Sequence, residues 1–113
     1  WRAQPWALLE HCDAFVFPSQ WEGMSNALLE GMATGKAIVA NMIEGVSEVL
    51  GPGPACQLAE VRQPETLVAN LCQVLQDPEV RSRCGHFNRD RVLRNYSIEG
   101  MVGRFESAIE GVI

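Results

Sequence analysis

Two short apolar runs constrain this chain more than any other feature. "AFVFPS" at residues 14–19 and "KAIVAN" at residues 36–41 both lack polar alternation. A strand with one wet face alternates in polarity, whereas a strand covered on both faces does not, and such strands belong to parallel sheets. Parallel neighbours need a crossover between them, and the intervening stretch has the length and pattern of a helix. Its apolar positions Met24, Leu28 and Met32 recur every fourth residue, Ala27 and Gly31 are small, and Gly35 stands where the helix should stop. Ser25 or Asn26 is the expected N-cap, after a loop over residues 19–24.

The flanking segments extend this pattern. Residues 5–11 read as a short helix with Pro5 in its first turn, punctuated by Asp13. After the second run come a loop and a short helix over residues 46–50, ended by Gly51-Pro52-Gly53-Pro54. "ACQLA" is a weaker third strand. Residues 64–76 form a helix with the stripe Leu67, Val68, Leu71 and Leu75. Asp77 caps the next helix, with Pro78 at its first position, and that helix runs to about Asn95. A last helix from Ile98 carries Met101, Val102, Phe105, Ala108, Ile109 and Val112 on one side.

The order predicts an α/β fold of three layers, a partial Rossmann-like domain with a short parallel sheet and a helical C-terminal half. Residues 1–113 form one domain on this reading. Three strands are few for a sheet that averages about five or six. The first residue is Trp1, not Met, which fits either a processed product or a fragment cut from a longer protein, and the thin sheet with its helical second half suggests that part of a domain lies upstream.

Composition narrows the partners. The net charge of -5 disfavours nucleic acid, which calls for clustered Lys and Arg. The basic stretch from Arg81 to Arg94 is interleaved with Glu79 and Asp90 and reads as a solvated helix face. The cysteines at 12, 56, 72 and 84 form no C-x-x-C, and three lie in apolar stretches. They read as reduced, mostly buried thiols of a cytoplasmic protein. His11 and His86 have no second ligand at metal spacing, so no metal site is expected. No apolar run approaches membrane-spanning length.

The stretch "EGMSNALLEG" at residues 22–31 is the candidate site. In open parallel sheets ligands bind beyond the carboxyl ends of the strands. The first helical N–H groups have no internal partners, the helix dipole is positive there, and Gly23 permits close approach. Such a helix start can hold a phosphate. Glu22 and Glu30 would then accept hydrogen bonds from sugar hydroxyls on either side of a diphosphate. Glu30 lies five residues beyond Ser25, about 7.5 Å along a helix axis. The competing reading makes Glu30 a solvated helix residue and Glu22 a partner of the dipole. Trp21 either stacks on a sugar or base or packs against the fold.

The longer string "DAFVFPSQWEGMSNALLEGMATGKAIVAN", residues 13–41, resembles the donor-binding segment of retaining GT-B glycosyltransferases, the glycogen-synthase-like group 1 family. The matching residues are Asp13, Pro18-Ser19, Glu22-Gly23, Glu30, Met32-Ala33, Gly35 and Ile38-Val39-Ala40. The resemblance implies that Glu22 lies near the donor sugar, that Glu30 meets the ribose hydroxyls, and that the amides of Met24, Ser25, Asn26 and Ala27 contact sugar and diphosphate. Glu44 stands where the family has the first glycine of a Gly-Gly pair, and Glu48 reads as a helix-start residue. The later helices, with Arg91 through Tyr96-Ser97, resemble the group's C-terminal region.

The resemblance further implies a UDP- or GDP-linked sugar as substrate, transfer of a hexosyl group with retention, and no metal or other cofactor. It implies an N-terminal acceptor domain and a basic diphosphate ligand elsewhere in the parent, and a parent associated with the inner face of a membrane. This chain alone is expected to be inactive. The rival reading is a non-catalytic binding or interaction module of the same fold. An uncovered last helix and an open strand edge predict self-association.

Overall fold

The structure, a computed structural model, describes residues 6–21 and 25–112. A short helix α1 (Trp6–Leu9) leads into β1 (Ala14–Phe17). Helix α2 (Asn26–Ala33) crosses to β2 (Ala37–Asn41), and α3 (Glu44–Leu50) follows. A 3-10 turn (Ala55–Gln57) runs straight into β3 (Leu58–Ala59). The helices α4 (Pro64–Gln76), α5 (Pro78–Asn95) and α6 (Ile98–Val112) complete the chain. The three strands are parallel in the order β1-β2-β3.

Side chains alternate across β2 and divide the core into two layers. Ile38 and Ala40 join Phe17, Leu28, Met32, Val46, Val49, Leu50 and Val92 on one face. Ala37 and Val39 join Cys56, Val74, Val80 and Cys84 on the other. Helices thus cover both faces, the three-layer α/β arrangement expected from the apolar runs. All five residues of β2 are buried, as a doubly covered strand requires. β1 departs from that expectation: it is an edge strand, and Val16 remains 37% exposed.

β3 is only two residues long because the 3-10 turn occupies the rest of "ACQLA". Its ladder reaches β2 only at Ala40 and Asn41. The Ile38 amide, further back, donates instead to Oε1 of Gln57 at 3.0 Å. Gln57 and the buried Asn88 of α5 exchange amide hydrogen bonds, and Asn88 Nδ2 also reaches the Lys36 carbonyl. A side-chain pair therefore completes what the short strand leaves open, and no buried side-chain nitrogen or oxygen among the described residues lacks a partner.

The helix boundaries have local causes. α2 ends in a Schellman motif: the Lys36 amide donates to Gly31 and the Gly35 amide to Met32, with Gly35 at φ 73°. Gly85 of α5 packs directly on that turn, and a methyl group at position 85 would overlap the Gly35 carbonyl. Asp77 caps α5 by accepting from the amides of Glu79 and Val80, with Pro78 first in the helix. α3 begins at Glu44, two residues earlier than expected, so Glu44 is the first-turn acid and Glu48 lies in the helix interior. A carboxylate at the positive end of the helix suits Glu44, which compensates for an Ile43 N-cap that offers no side-chain acceptor.

Three other expectations change. The core-facing stripe of α4 is the buried Val74 with the half-buried Leu67 and Leu71, while Val68 and Leu75 flank it exposed, 59% and 47% respectively. The arginines of α5 are not simply a solvated face. Arg81 donates to the carbonyls of Val74 and Leu75, Arg89 to Ala33, and Arg91 to Glu48 and Val49. Three guanidiniums thus close the carboxyl ends of α4, α2 and α3, where the helix dipole favours cations. The cysteines divide evenly: Cys56 and Cys84 are buried, with Sγ atoms 3.6 Å apart, whereas Cys12 and Cys72 are exposed. Burial, helped by the adjoining Cys56 thiol, pushes the Cys84 thiol from 9.0 up to about 12. The last helix is uncovered, as expected: α6 stands clear of the core, and every residue from 101 to 112 is exposed.

Candidate functional site

β1 ends at Phe17, and Pro18 has no N–H with which to continue the ladder. The chain turns away through Ser19, Gln20 and Trp21 toward α2. Glu22, Gly23 and Met24 lie outside the described residues. The site is therefore built from its two ends and from Glu30.

Ser25 is the N-cap of α2, as one of the two expected candidates. Its backbone is extended, its side chain is buried, and its Oγ accepts from the Leu28 amide at 3.3 Å. One of the unpaired first-turn donors is satisfied in this way. Asn26 and Ala27 occupy the next two positions and are exposed, and among the described residues no acceptor meets their amides. The helix start thus carries donors without an acceptor among the described residues, at the carboxyl end of a parallel sheet and beside its edge strand β1.

Glu30 is half-buried on α2 and lines an open cleft of about 400 Å³ with Glu10, Ala33, Thr34 and Arg89. Arg89 is already engaged with the Ala33 carbonyl at 2.6 Å. The one ion pair among the described residues, Arg94 with Asp90 at 3.1 Å, lies on an exposed part of α5. The Glu30 carboxylate is therefore not taken up by a cation within the described fold. Trp21 is 87% exposed, so packing against the fold, one of its two expected roles, is not realised among the described residues. Among the described residues no group of three His, Cys, Asp or Glu side chains is placed to hold a metal ion.

One residue that the sequence reading left without a role joins this region. Asn41, the last residue of β2, is 7% exposed, and its Nδ2 donates to the carbonyls of Pro18 at 2.9 Å and Ser19 at 3.3 Å. The signal available was a polar residue closing an otherwise apolar strand.

A parallel sheet covered by helices on both faces, with a helix start open at its carboxyl end, defines the class: a Rossmann-like α/β domain, here matching the C-terminal domain of GT-B proteins. The chain belongs to the family described as "Glycosyl transferases group 1", which it matches over residues 1–91. It is 31% identical over 108 residues to an MMP alpha-(1->4)-mannosyltransferase of Mycolicibacterium hassiacum, covering 95% of this chain and 26% of that protein. It is 35% identical over 74 residues to an N,N'-diacetylbacillosaminyl-diphospho-undecaprenol alpha-1,3-N-acetylgalactosaminyltransferase of Campylobacter jejuni, covering 66% and 20% respectively. An N-acetyl-alpha-D-glucosaminyl L-malate synthase of Bacillus anthracis is 27% identical over 106 residues, 94% of this chain and 28% of that protein. The chain spans about a quarter of the length of these curated relatives.

Proposed function

We propose that the protein carrying this chain transfers a hexosyl group, with retention, from a UDP- or GDP-linked sugar to an acceptor, and that residues 22–30 form one wall of the donor site. The observation that carries this reading is the start of α2, where Ser25 caps the helix and the exposed Asn26 and Ala27 have no acceptor for their amides among the described residues. Relatives named as transferring mannose and N-acetylgalactosamine support a hexosyl donor. On this reading the chain is the C-terminal part of a donor domain. The opposite wall, with the basic diphosphate ligand, stands beside the open edge of β1, because the order β1-β2-β3 contains no reversal at which a crevice would form.

The chemistry follows from placement. As the sugar–phosphate bond breaks, negative charge grows on the departing nucleoside diphosphate, and the helix start stabilises it without having to reorganise. Amides of Met24 to Ala27 direct the phosphates, Glu30 accepts from the ribose hydroxyls, and Glu22 beside Gly23 holds the sugar in the reactive orientation. The chain alone lacks the opposite wall and is inactive on this reading. A cytoplasmic parent acting at the inner face of a membrane suits a relative named for a diphospho-undecaprenol-linked sugar. No helix among the described residues is long and apolar enough to cross a membrane. A second reading, a binding module without catalysis, is favoured by Glu44, whose carboxylate occupies the exposed first turn of α3.

Steady-state kinetics of the full-length protein separate the two. Glu30→Ala should raise the donor KM about tenfold, the loss of one charge-assisted hydrogen-bonded contact, while Glu22→Ala should mainly lower kcat. Wild-type parameters in both variants would remove the site assignment. A wild-type protein that binds nucleoside diphosphate without turning over sugar would establish the binding module instead.

A further inference from the structure

We propose that Cys56 and Cys84 form an oxidisable dithiol, which a small hydroperoxide closes into a disulfide tying the 3-10 turn to α5. The two thiols stand 28 residues apart in the chain, yet their Sγ atoms meet at 3.6 Å. They share one apolar layer with Ala37, Val39, Val74 and Val80. A disulfide needs its sulfurs about 2 Å apart, so closure asks for an approach of about 1.5 Å. The neighbours of both cysteines hold the pair together. Gln57, next to Cys56, exchanges hydrogen bonds with Asn88, one turn beyond Cys84. Gly85, next to Cys84, packs on the Gly35 carbonyl, so α5 is braced against the α2 turn. The remaining approach therefore falls on the 3-10 turn.

Exposure sets the order of events. Cys84 has no exposed surface, whereas Cys56 keeps 7%. Burial pushes the Cys84 thiol up to about 12, so it keeps its proton at neutral pH and is the poorer first nucleophile. The Cys56 sulfur attacks one oxygen of hydrogen peroxide, the O–O bond breaks, and water leaves with the thiol proton. Cys56 is then a sulfenic acid with a second thiol already in contact. The Cys84 sulfur attacks the sulfenic sulfur, the S–S bond forms, the S–O bond breaks, and hydroxyl leaves with the Cys84 proton as a second water. Two thiols have lost two electrons, and the peroxide is reduced to two waters. An oxidant scarcely larger than water reaches this layer, while a bulky thiol reagent meets only the exposed Cys12 and Cys72.

The experiment uses the full-length protein, its exposed thiols first blocked in the folded state by a bulky maleimide. Hydrogen peroxide is added at a dose that half-oxidises free methionine in the same tube. Remaining thiols are alkylated after unfolding, and the digested protein is mapped by mass spectrometry. In the wild type the Cys56 and Cys84 peptides should appear joined, two hydrogens lighter than their sum, as the main oxidised product at either cysteine, and dithiothreitol should separate them. In Cys84→Ala no thiol closes the sulfenic acid, so Cys56 should gain two oxygens as sulfinic acid. In Cys56→Ala, Cys84 should stay a thiol. Recovery of both cysteines as free thiols in the wild type, maleimide on Cys56, or Cys56 joined to a different cysteine would each overturn the inference. Oxidation of Cys84 in Cys56→Ala would overturn it as well. The wild-type map decides alone where a variant fails to fold.

Discussion

Gly85 shows how much a single atom can matter in this fold. Helix α5 lies so close to the Gly35 turn that position 85 has no room for a side chain, and the Gly35 turn itself needs a left-handed backbone. Gly85→Ala should lower stability by about 1–3 kcal/mol, the usual cost of overpacking, because the obstacle is backbone rather than a side chain that can swing away. Urea unfolding checks this as a lower midpoint at unchanged slope. The sequence carried no sign of this contact, since glycine inside a helix reads locally only as a weak helix former. The same holds for Arg81, Arg89 and Arg91. Their alternation with acids imitates a solvated face, and only the packing of α5 across three helix ends reveals what they bond. Ser25, by contrast, was legible as a cap candidate because its role is local.

At the scale of elements, the contact between the 3-10 turn and α5 brings the Cys56 and Cys84 thiols together in a buried layer. Burial raises the Cys84 pKa to about 12, so the folded state holds a proton that the unfolded chain releases near the ordinary 9.0. The stability tied to this group is fully present below that ordinary value and is lost progressively as pH rises toward the folded value. Unfolding free energy followed over alkaline pH should decline through this window, and Cys84→Ala should flatten the decline. The helices α4 and α5 were legible in the sequence because Pro and Asp mark their starts, and β2 because a strand covered on both faces is apolar throughout. β1 was misread as doubly covered, for its neighbour on the far side is a matter of sheet order, which no run of residues encodes. β3 was faint because much of its role passes to one glutamine side chain.

The molecule as a whole presents a core built on both faces of a small sheet and a helix that shares little of it. α6 exposes Met101, Val102, Phe105, Ile109 and Val112, and Phe105, Ala108, Ile109 and Val112 line an entirely apolar groove. Exposed apolar surface of this kind drives association in water. Light scattering on the isolated chain should find a dimer or larger species at high concentration, and Phe105→Glu should return it to monomer; a clean wild-type monomer would count against this. The family was legible because the 13–41 segment packs strand, turn, helix start and next strand into one contiguous string. The placement of the α2 start, with its unpartnered first amides, beside the edge strand β1 needed the fold. The donor site requires that the segment from Glu22 to Glu30 meet a nucleotide. A titration of the chain with UDP and with GDP, followed by amide NMR, tests that directly. Binding should be weak, and the amides of residues 22–30 should shift first and furthest. Shifts concentrated elsewhere, on α4 or α6 for example, would contradict it.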